Sequence, residues 1–348
     1  IGSDILMKDK VAVIGGGSWG TALAQVLYNN EYQVQIYDLS SEKVDEINQD
    51  HVNSYLPDVK LAEGLTATTD LKEAVSGAKA VVVVVPSHAV RKAAKGLAKV
   101  LEPETLIISA TKGLEENTYL RMSEVLAEEL PAEFKDKITV LSGPSHAEEV
   151  IKNHPTTVVA ANEDKKMAQQ VQDMFMTEEL RVYTNPDMVG VELGAAVKNI
   201  IAIGAGIASG LGYGDNALAA LVTRGITEIK RLGVELGAKS MTFAGLTGLG
   251  DLIVTCTSEH SRNRRLGYKI GAGKSLDQAL DEMKMVAEGV KTAKAVYEVA
   301  EKHNIDMPIS KQVYNILFNN KDPRQSVNDL MMRGKKHEIE EVAKEKSW

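Results

Sequence analysis

A glycine-rich turn near the amino end constrains the fold of this chain more than any other feature. The turn spans residues 15–20, with the letters GGGSWG, and it follows an apolar run at 11–14. A helical pattern at 21–29 and a second apolar run at 33–37 come next, and that run ends at Asp38. Strand, glycine turn, helix and a second strand with an acid at its end are the order of a dinucleotide-binding βαβ unit.

The glycines of this turn each have a physical role in such a unit. Gly15 permits the tight turn, Gly17 lets the backbone approach a pyrophosphate, and Gly20 allows the helix to pack closely on the strand. The amides at the start of the helix favour a bound anion, and Asp38 can accept hydrogen bonds from ribose hydroxyls. We therefore expect a nucleotide site here, although a purely structural glycine turn would contain the same glycines.

The composition is that of a folded protein, and it excludes several kinds of partner. With 348 residues, 44% hydrophobic and 25% charged, the chain is long enough for two domains. A net charge of −8 argues against broad attraction to nucleic acid or to an anionic membrane. The sole cysteine, Cys256, cannot form an intramolecular disulfide, which suits a cytoplasmic location. The seven histidines are dispersed, so we expect no metal site.

The ends of the chain and its longest apolar stretch bear on targeting. Residues 1–6 are interpreted as a cloning remnant before a native start at Met7, and no secretory signal is expected. The apolar stretch at 189–212 is interrupted by Glu192 and Lys198. It therefore predicts a buried helix and no stable membrane insertion.

Further apolar runs predict the rest of the sheet. Runs at 80–85, 106–110 and 138–141 are typical of parallel strands covered on both faces. Ligands bind beyond the carboxyl ends of such strands, so the loops that follow these runs are candidates for the site. Additional strands are expected at 156–161 and 180–183, on either side of a helix.

Beyond Pro186 the patterns are helical, which places a domain boundary there. Helices are predicted at 188–204, 217–236, 264–270, 276–283, 289–303 and 310–318. The predicted fold class is α/β, a Rossmann-like doubly wound and mostly parallel sheet followed by an all-helical domain. The expected division is a dinucleotide-binding domain at 7–186, a helical substrate or catalytic domain at 187–337, and a tail at 338–348.

Lys198 is the first candidate for chemistry outside the glycine turn. It lies in a predicted helix that is apolar or small on nearly every face. Burial disfavours an ammonium ion and lowers its pKa, so Lys198 could exchange a proton near neutral pH. A structural or snorkelling lysine is the alternative.

A second candidate combines glycines, an acid and a run of arginines. Residues 245–251, GLTGLGD, precede SRNRR at 261–265, which opens a predicted helix. A hydroxyl, helix amides and guanidinium groups together suit a phosphate, although a solvated basic face is the alternative. His88 and His146 follow strands and either line the cleft or are ordinary loop residues.

Six separated motifs, in the same order, resemble the bacterial type of NAD(P)-dependent glycerol-3-phosphate dehydrogenase. The resemblance runs from about residue 7 to about residue 336. Its motifs are residues 15–24 (GGGSWGTALA), 85–87 (VPS), 110–114 (ATKGL), 142–145 (SGPS), 197–199 (VKN) and 256–265. The segment GLGDL at 248–252, shortly before the last motif, belongs to the same resemblance.

The resemblance implies an activity and a set of site residues. It implies interconversion of sn-glycerol 3-phosphate and dihydroxyacetone phosphate, which would supply glycerol 3-phosphate to phospholipid synthesis. It also implies that Lys198 is the catalytic proton donor or acceptor. The implied contacts to this small phosphate substrate are Lys112, Gly143, Ser145, Lys198, Asp251, Thr255, Ser261, Arg262 and Asn263. The implied cofactor contacts, added to the glycines and Asp38, are Ser18, Trp19, Lys112, Ala147, Arg262, Val286 and Glu288.

The sequence leaves several alternatives open. The cofactor is NAD or NADP, and Asp38 favours NAD because an acid repels a 2′-phosphate, although Ser40 and Ser41 could accept one. A related β-hydroxyacid dehydrogenase or ketopantoate-type reductase would share the fold and the lysine, and a redox sensor would bind NAD(P) without turnover. Direction and oligomeric state are undetermined, and a homodimer is one option.

Overall fold

The computed structural model describes residues 7–283, 287–335 and 337–338. The interpretation of residues 1–6 as a cloning remnant therefore lies outside the described residues, as do the predicted cofactor contact Val286 and most of the predicted tail.

The described residues build one eight-stranded sheet in the order β3-β2-β1-β4-β5-β6-β7-β8. Every neighbouring pair is parallel except β6 and β7, which are antiparallel. The strands are β1 (Lys8–Ile14), β2 (Tyr32–Tyr37), β3 (Thr66–Thr68), β4 (Ala80–Val83), β5 (Leu106–Ser109), β6 (Ile138–Ser142), β7 (Thr156–Ala161) and β8 (Leu180–Asn185).

The strand order reverses at β1, and this reversal positions the site. The chain leaves β1 towards β2 and β3 on one side and returns to β4 on the other. The two connections diverge at the carboxyl end of β1, so a crevice opens there, and ligands bind at such a point in doubly wound sheets. The strands β4 and β5 are buried at every residue, as their uninterrupted apolar sequences predict. The predicted fold class is confirmed.

Helices cover both faces of the sheet, and they form the whole regular structure of the described chain after β8. The helices that precede β8 in the chain are α1 (Ser18–Asn29), α2 (Ser41–Asp45), α3 (Leu71–Val75), α4 (Val90–Leu97), α5 (Met122–Glu129), α6 (Ala147–Val150) and α7 (Lys165–Phe175). Those after it are α8 (Met188–Gly210), α9 (Asp215–Glu235), α10 (Asp251–Thr257), α11 (Arg262–Gly271), α12 (Leu276–Asp281), α13 (Gly289–His303), α14 (Pro308–Phe318) and α15 (Pro323–Met331).

The helix α8 is the centre of the helical layer. It is long and apolar enough to cross a membrane, but its apolar window is entirely buried inside the protein. The sequence predicts an end at Gly204, whereas the helix continues to Gly210. The reason is a close packing against α11: a Cβ on Gly206 would lie 2.0 Å from the carbonyl oxygen of Arg264, and one on Gly267 would lie 2.0 Å from that of Ile203. The two backbones therefore touch through glycines.

Candidate active site

A cleft of about 400 Å³ lies at the carboxyl ends of the strands, where the sequence predicts the site. This volume is within the range of small-molecule sites. Its walls come from the glycine turn, the loops after β4, β5 and β6, and the helices α8, α10 and α11. The predicted site residues that line it are Gly17, Ser18, Trp19, Gly20, Lys112, Ser145, Ala147, Lys198, Asp251, Thr255, Ser261, Arg262, Asn263 and Glu288.

The glycine turn has the geometry that a bound dinucleotide requires. Gly15 has a φ of 118°, a conformation that favours glycine, and a Cβ there would lie 2.5 Å from the carbonyl oxygen of Val84. A Cβ on Gly20 would lie 2.0 Å from the carbonyl oxygen of Gly15. At Gly17, in contrast, a Cβ would meet nothing within 4 Å. The backbone at Gly17 is therefore open to a ligand at the start of α1, so these residues fit a pyrophosphate.

Gly16 is held from both sides by side chains. The amide of Gly16 donates to Oδ2 of Asp38 at 2.7 Å, and Oδ1 of Asp38 accepts from the amide of Ser40 at 2.9 Å. Asn53, which is 1% exposed, donates to the carbonyl oxygen of Gly16 at 2.9 Å and to Oγ1 of Thr21 at 2.7 Å. No sequence pattern predicts this role of Asn53, because one asparagine in a polar loop gives no signal of such a contact. Asp38 itself is not among the residues that line the cleft.

Asp251 joins two lysines at the floor of the cleft. Its Oδ1 accepts a hydrogen bond from Nζ of Lys198, and its Oδ2 accepts one from Nζ of Lys112 at 3.1 Å. Lys198 also donates to Oγ1 of Thr255 at 2.8 Å, and Lys112 donates to the carbonyl oxygen of Gly143 at 2.9 Å. Gly143 thus contacts this cluster, although it does not line the cleft. Three elements that are far apart in the sequence meet at one carboxylate.

Burial and charge together set the protonation of this cluster. Lys198 is 4% exposed, and its burial, reinforced by the cation of Lys112 and only partly opposed by Asp251, lowers the pKa of Lys198 to about 7. Burial alone would raise the pKa of Asp251, but the ammonium groups of Lys112 and Lys198 hold it below its ordinary value. The arrangement is a stable carboxylate beside an amine that can gain or lose a proton near neutral pH.

The arginine run enters the cleft at one position. Ser261 begins α11 as its N-cap and accepts a hydrogen bond from the amide of Arg264 at 3.3 Å. Arg262, the first residue of that helix, lines the cleft, whereas Arg264 is only partly buried outside it and Arg265 is exposed. A guanidinium beside the start of a helix is a favourable setting for an anionic group.

Asn263 and Glu288 connect the cleft to neighbouring helices. Asn263 donates to Oδ1 of Asn199 at 3.0 Å and accepts from the amide of Gly289 at 2.9 Å. Glu288 accepts from Oγ of Ser87 at 2.8 Å, which brings the start of α13 to the loop after β4. Asn199, which belongs to the VKN motif but has no role predicted from the sequence, also lines the cleft.

The remaining candidates differ in position. His146 lines the cleft, and burial lowers its pKa, with the cations of Lys198 and Lys112 acting in the same direction. His260 also lines it, with its ring centroid 5.8 Å from that of His146. His88 is exposed. Cys256 is fully buried, and burial raises the pKa of its thiol to about 12, so it packs as an apolar residue.

Comparisons with known proteins agree over nearly the whole chain. A family model described as the NAD-dependent glycerol-3-phosphate dehydrogenase N-terminus matches residues 10–168, and one described as its C-terminus matches residues 187–328. A protein from Halothermothrix orenii, named as an NAD(P)+ glycerol-3-phosphate dehydrogenase, is 52% identical over 345 residues, which are 98% of this chain and 100% of that protein. One of the same name from Enterococcus faecalis is 53% identical, over 96% of this chain and 98% of that protein.

Solved structures give the same result. A crystal structure of glycerol-3-phosphate dehydrogenase from Coxiella burnetii matches with a TM-score of 0.89 and 41% identity, over 94% of this chain and 99% of that chain. A ketopantoate reductase from Ralstonia eutropha matches with a TM-score of 0.57 and 15% identity, over 91% of this chain and 99% of that chain. The second likeness shows a shared fold alone.

Proposed function

We propose roles for the residues of this site on one premise: the chain belongs to the NAD-dependent glycerol-3-phosphate dehydrogenase family. It is an oxidoreductase that interconverts sn-glycerol 3-phosphate and dihydroxyacetone phosphate with NAD or NADP. The ketopantoate reductase described above shares the fold at only 15% identity. A redox sensor without turnover does not agree with relatives that are named as dehydrogenases.

Lys198 is the group that handles the proton. When bound, the nicotinamide cofactor supplies or accepts the hydride at C2 of the substrate. The ammonium of Lys198 donates a proton to the C2 oxygen in the reducing direction, and the neutral amine takes it back in the other. The observation that carries this assignment is the buried contact of Lys198 with Asp251 inside the cleft, where an amine with a pKa of about 7 can do both.

The rest of the cluster positions the substrate. Asp251 holds the ammonium of Lys198 and that of Lys112, so Lys112 can reach substrate and cofactor together. Gly143, Ser145 and Thr255 complete this end of the site. Arg262, with Ser261 and Asn263 beside it, binds the phosphate at the start of α11.

The residues of the glycine turn would hold the cofactor. Gly17 and the first amides of α1 would bind its pyrophosphate, with Gly15 and Gly20 shaping the turn. The other cleft residues that would contact it are Ser18, Trp19, Lys112, Ala147, Arg262 and Glu288. Asp38 favours NAD because its carboxylate would repel a 2′-phosphate, and the amide of Ser40 is already bonded to that carboxylate.

Four further expectations from the sequence are part of this proposal. They are a domain division after residue 186, a homodimer, a cytoplasmic location, and a supply of glycerol 3-phosphate to phospholipid synthesis. The buried sole cysteine supports the cytoplasmic location, since it needs no oxidising compartment. Sedimentation velocity of the purified protein tests the homodimer.

The decisive experiment is the variant Lys198→Ala. Oxidation of NADH and NADPH is followed by absorbance with dihydroxyacetone phosphate, and turnover should fall by at least about 10²-fold, the usual scale for acid–base catalysis. Cofactor affinity, measured by fluorescence quenching, should stay near that of the wild type. Lys311→Ala, which removes an exposed lysine on α14, is the matched control and should keep full turnover.

Near-normal turnover of purified Lys198→Ala would refute the role of this lysine. Competition separates the substrate classes: glycerol phosphates should inhibit the wild type, and simple hydroxycarboxylates without phosphate should not. Stronger inhibition by the carboxylates would contradict the phosphate assignment at Arg262.

A further inference from the structure

The segment between β5 and α5 crosses from the sheet to the helical layer. We call residues 112–121 the docking hairpin, because Leu114 and Arg121 form an isolated antiparallel bridge at its base. The amide of Glu115 donates to the carbonyl oxygen of Leu120 at 2.9 Å, which closes it further. Leu114 is 3% exposed, and it packs within the apolar core of α8, α13 and their neighbours instead of the core of the sheet.

Polar contacts fix the docking hairpin to two helices. Arg121 donates to a carboxylate oxygen of Glu192 on α8 at 2.6 Å, and Glu192 also accepts from the amide and hydroxyl of Ser123. The hydroxyl of Tyr119 donates to Oε2 of Glu298 on α13 at 2.5 Å. Lys291 and Glu116 form a longer contact of 3.5 Å between side chains that are 32% and 47% exposed.

The tip of the docking hairpin has a backbone that needs support. Tyr119 has a φ of 62° and Asn117 one of 70°, in the left-handed region. Asparagine tolerates this region, but a bulky residue such as tyrosine is rarely found there. The ring of Tyr119 packs against the helical core, and its hydroxyl binds Glu298. These two contacts compensate for the unfavourable backbone conformation.

The same segment begins with a residue of the cleft. Lys112 donates to Asp251 and to the carbonyl oxygen of Gly143, and Gly113 follows it with a φ of 134°. A Cβ on Gly113 would lie 2.9 Å from Cβ of Ser87, so the base of the hairpin is tightly packed. The position of the Lys112 ammonium therefore depends on how the docking hairpin is held.

We infer that Tyr119 and Glu298 are positioning residues: their hydrogen bond seats the docking hairpin on α13 and so holds the Lys112 ammonium against Asp251. This inference rests on the proposed role of Lys198 and extends it to a contact that no cleft residue makes. Tyr119 and Glu298 line no part of the cleft, and Tyr119 is joined to Lys112 through the docking hairpin.

The consequence for Lys198 follows from its charged neighbours. The titratable groups that face it are Asp251 and Cys256 on α10, Lys112 in the docking hairpin, and His146 before α6. Among these, Lys112 supplies a cation that lowers the pKa of Lys198. If the hairpin loosens and Lys112 withdraws from Asp251, that repulsion weakens and the pKa of Lys198 rises.

The test is the pH profile of turnover in Tyr119→Phe. Loss of the hydroxyl should lower kcat/KM roughly fivefold, because Lys112 is misplaced. It should also raise the pKa near 7 in the pH profile of turnover by roughly half a pH unit. Glu298→Gln keeps a carbonyl acceptor for Tyr119 and should shift the profile less. Lys291→Gln removes the exposed contact between the same two elements and should leave the profile unchanged.

A double variant identifies the route of the effect. In the background of Lys112→Met there is no ammonium to misplace, so adding Tyr119→Phe should change kcat/KM by less than about twofold. A full additive loss there would overturn the inference. So would a Tyr119→Phe protein that melts at a lower temperature but keeps the wild-type ionisation, since its role would then be structural.

The proposed function fails in a different way. If the wild type shows no ionisation near pH 7, or if Lys198→Ala retains it, the role of Lys198 is refuted and the inference is refuted with it. If the wild-type ionisation is present and lost in Lys198→Ala, but is unmoved by Tyr119→Phe, the positioning role alone is refuted.

Discussion

Two buried carboxylates in the helical layer behave in opposite ways. Asp251 is 1% exposed and each of its oxygens faces a lysine ammonium. Glu228 is 2% exposed and its oxygens accept from the amide of Ile309 at 2.6 Å and from the amide and hydroxyl of Ser310 at 3.0 and 2.9 Å. The pKa of Asp251 is below its ordinary value, whereas burial raises the pKa of Glu228 to about 7.

The difference shows that two adjacent lysines offset the effect of burial on the pKa of Asp251, whereas the neighbours of Glu228 do not. Hydrogen bonds from amides and a hydroxyl reduce the cost of burying Glu228 without removing it. The ammonium of Lys112 and, when it is protonated, that of Lys198 outweigh the same cost at Asp251. We therefore propose that Asp251 takes part in the chemistry of the cleft. Glu228 instead accepts hydrogen bonds from amides in the first turn of α14, which have no partner within that helix.

The largest expected effect is that of Asp251→Asn. An amide cannot balance two ammonium groups, so the pKa of Lys198 should fall further and the amine should be neutral at pH 7. A neutral Lys198 has no proton to donate, and reduction of dihydroxyacetone phosphate should slow by about 10²-fold or more. Steady-state kinetics between pH 5 and 8 measure this loss.

Partial recovery of Asp251→Asn at low pH, where Lys198 regains its proton, is part of the same prediction. Glu228→Gln is the matched control, because it changes a buried carboxylate of the same layer that lies outside the cleft. Equal losses of turnover in the two variants would erase the distinction between these acids.

Glu228→Gln should instead alter how stability depends on pH. Between about pH 4.5 and 7 the unfolded glutamate loses its proton while the folded one keeps it, so wild-type stability falls as pH rises through this window. The variant lacks this titration. The difference in unfolding free energy between wild type and variant should therefore change by about 3 kcal/mol across the window.

Urea denaturation at a series of pH values measures that change. A constant difference between the two proteins from pH 4.5 to 7.5 would show that Glu228 has an ordinary pKa, and that three hydrogen bonds are enough to keep a buried carboxylate charged.

The smallest effect concerns a third carboxylate, Asp38, which is only partly buried and accepts from two backbone amides. It should repel a 2′-phosphate modestly, so the wild type should have a higher kcat/KM with NADH than with NADPH. Asp38→Asn should shift that ratio towards NADPH by about 1–3 kcal/mol at most. Steady-state kinetics with both cofactors decide this, and an unchanged ratio would mean that Asp38 only supports Gly16.

Much of this molecule could be predicted from local sequence. The glycine turn and the apolar runs at β1, β4, β5 and β6 each impose one backbone geometry, so the parallel sheet and the position of the cleft follow from them. Lys198 was identifiable because a lysine in an apolar helix has few ways to reach water. Family resemblance supplied the roles of residues such as Ser145 and Asn263, which have no local signal.

The features that local sequence does not predict are long-range contacts between side chains. Lys112 and Asp251 lie 139 positions apart, and Tyr119 and Glu298 lie 179 apart. Pairing of this kind depends on how domains pack, which periodicity does not report. Short helices such as α4 and α5 were also missed. Their apolar positions are few, and tertiary packing stabilises them more than intrinsic propensity does.

The glycine contact between α8 and α11 acts as a spacer for the reaction. Lys198 lies on α8 and Arg262 on α11, so the distance between the proposed proton donor and the proposed phosphate-binding residue depends on how closely these two backbones approach. At Gly206 and Gly267 that approach leaves no room for even a methyl group. If Lys198 and Arg262 have the roles proposed above, the length of substrate that fits between them depends on glycines in the contact of these two helices.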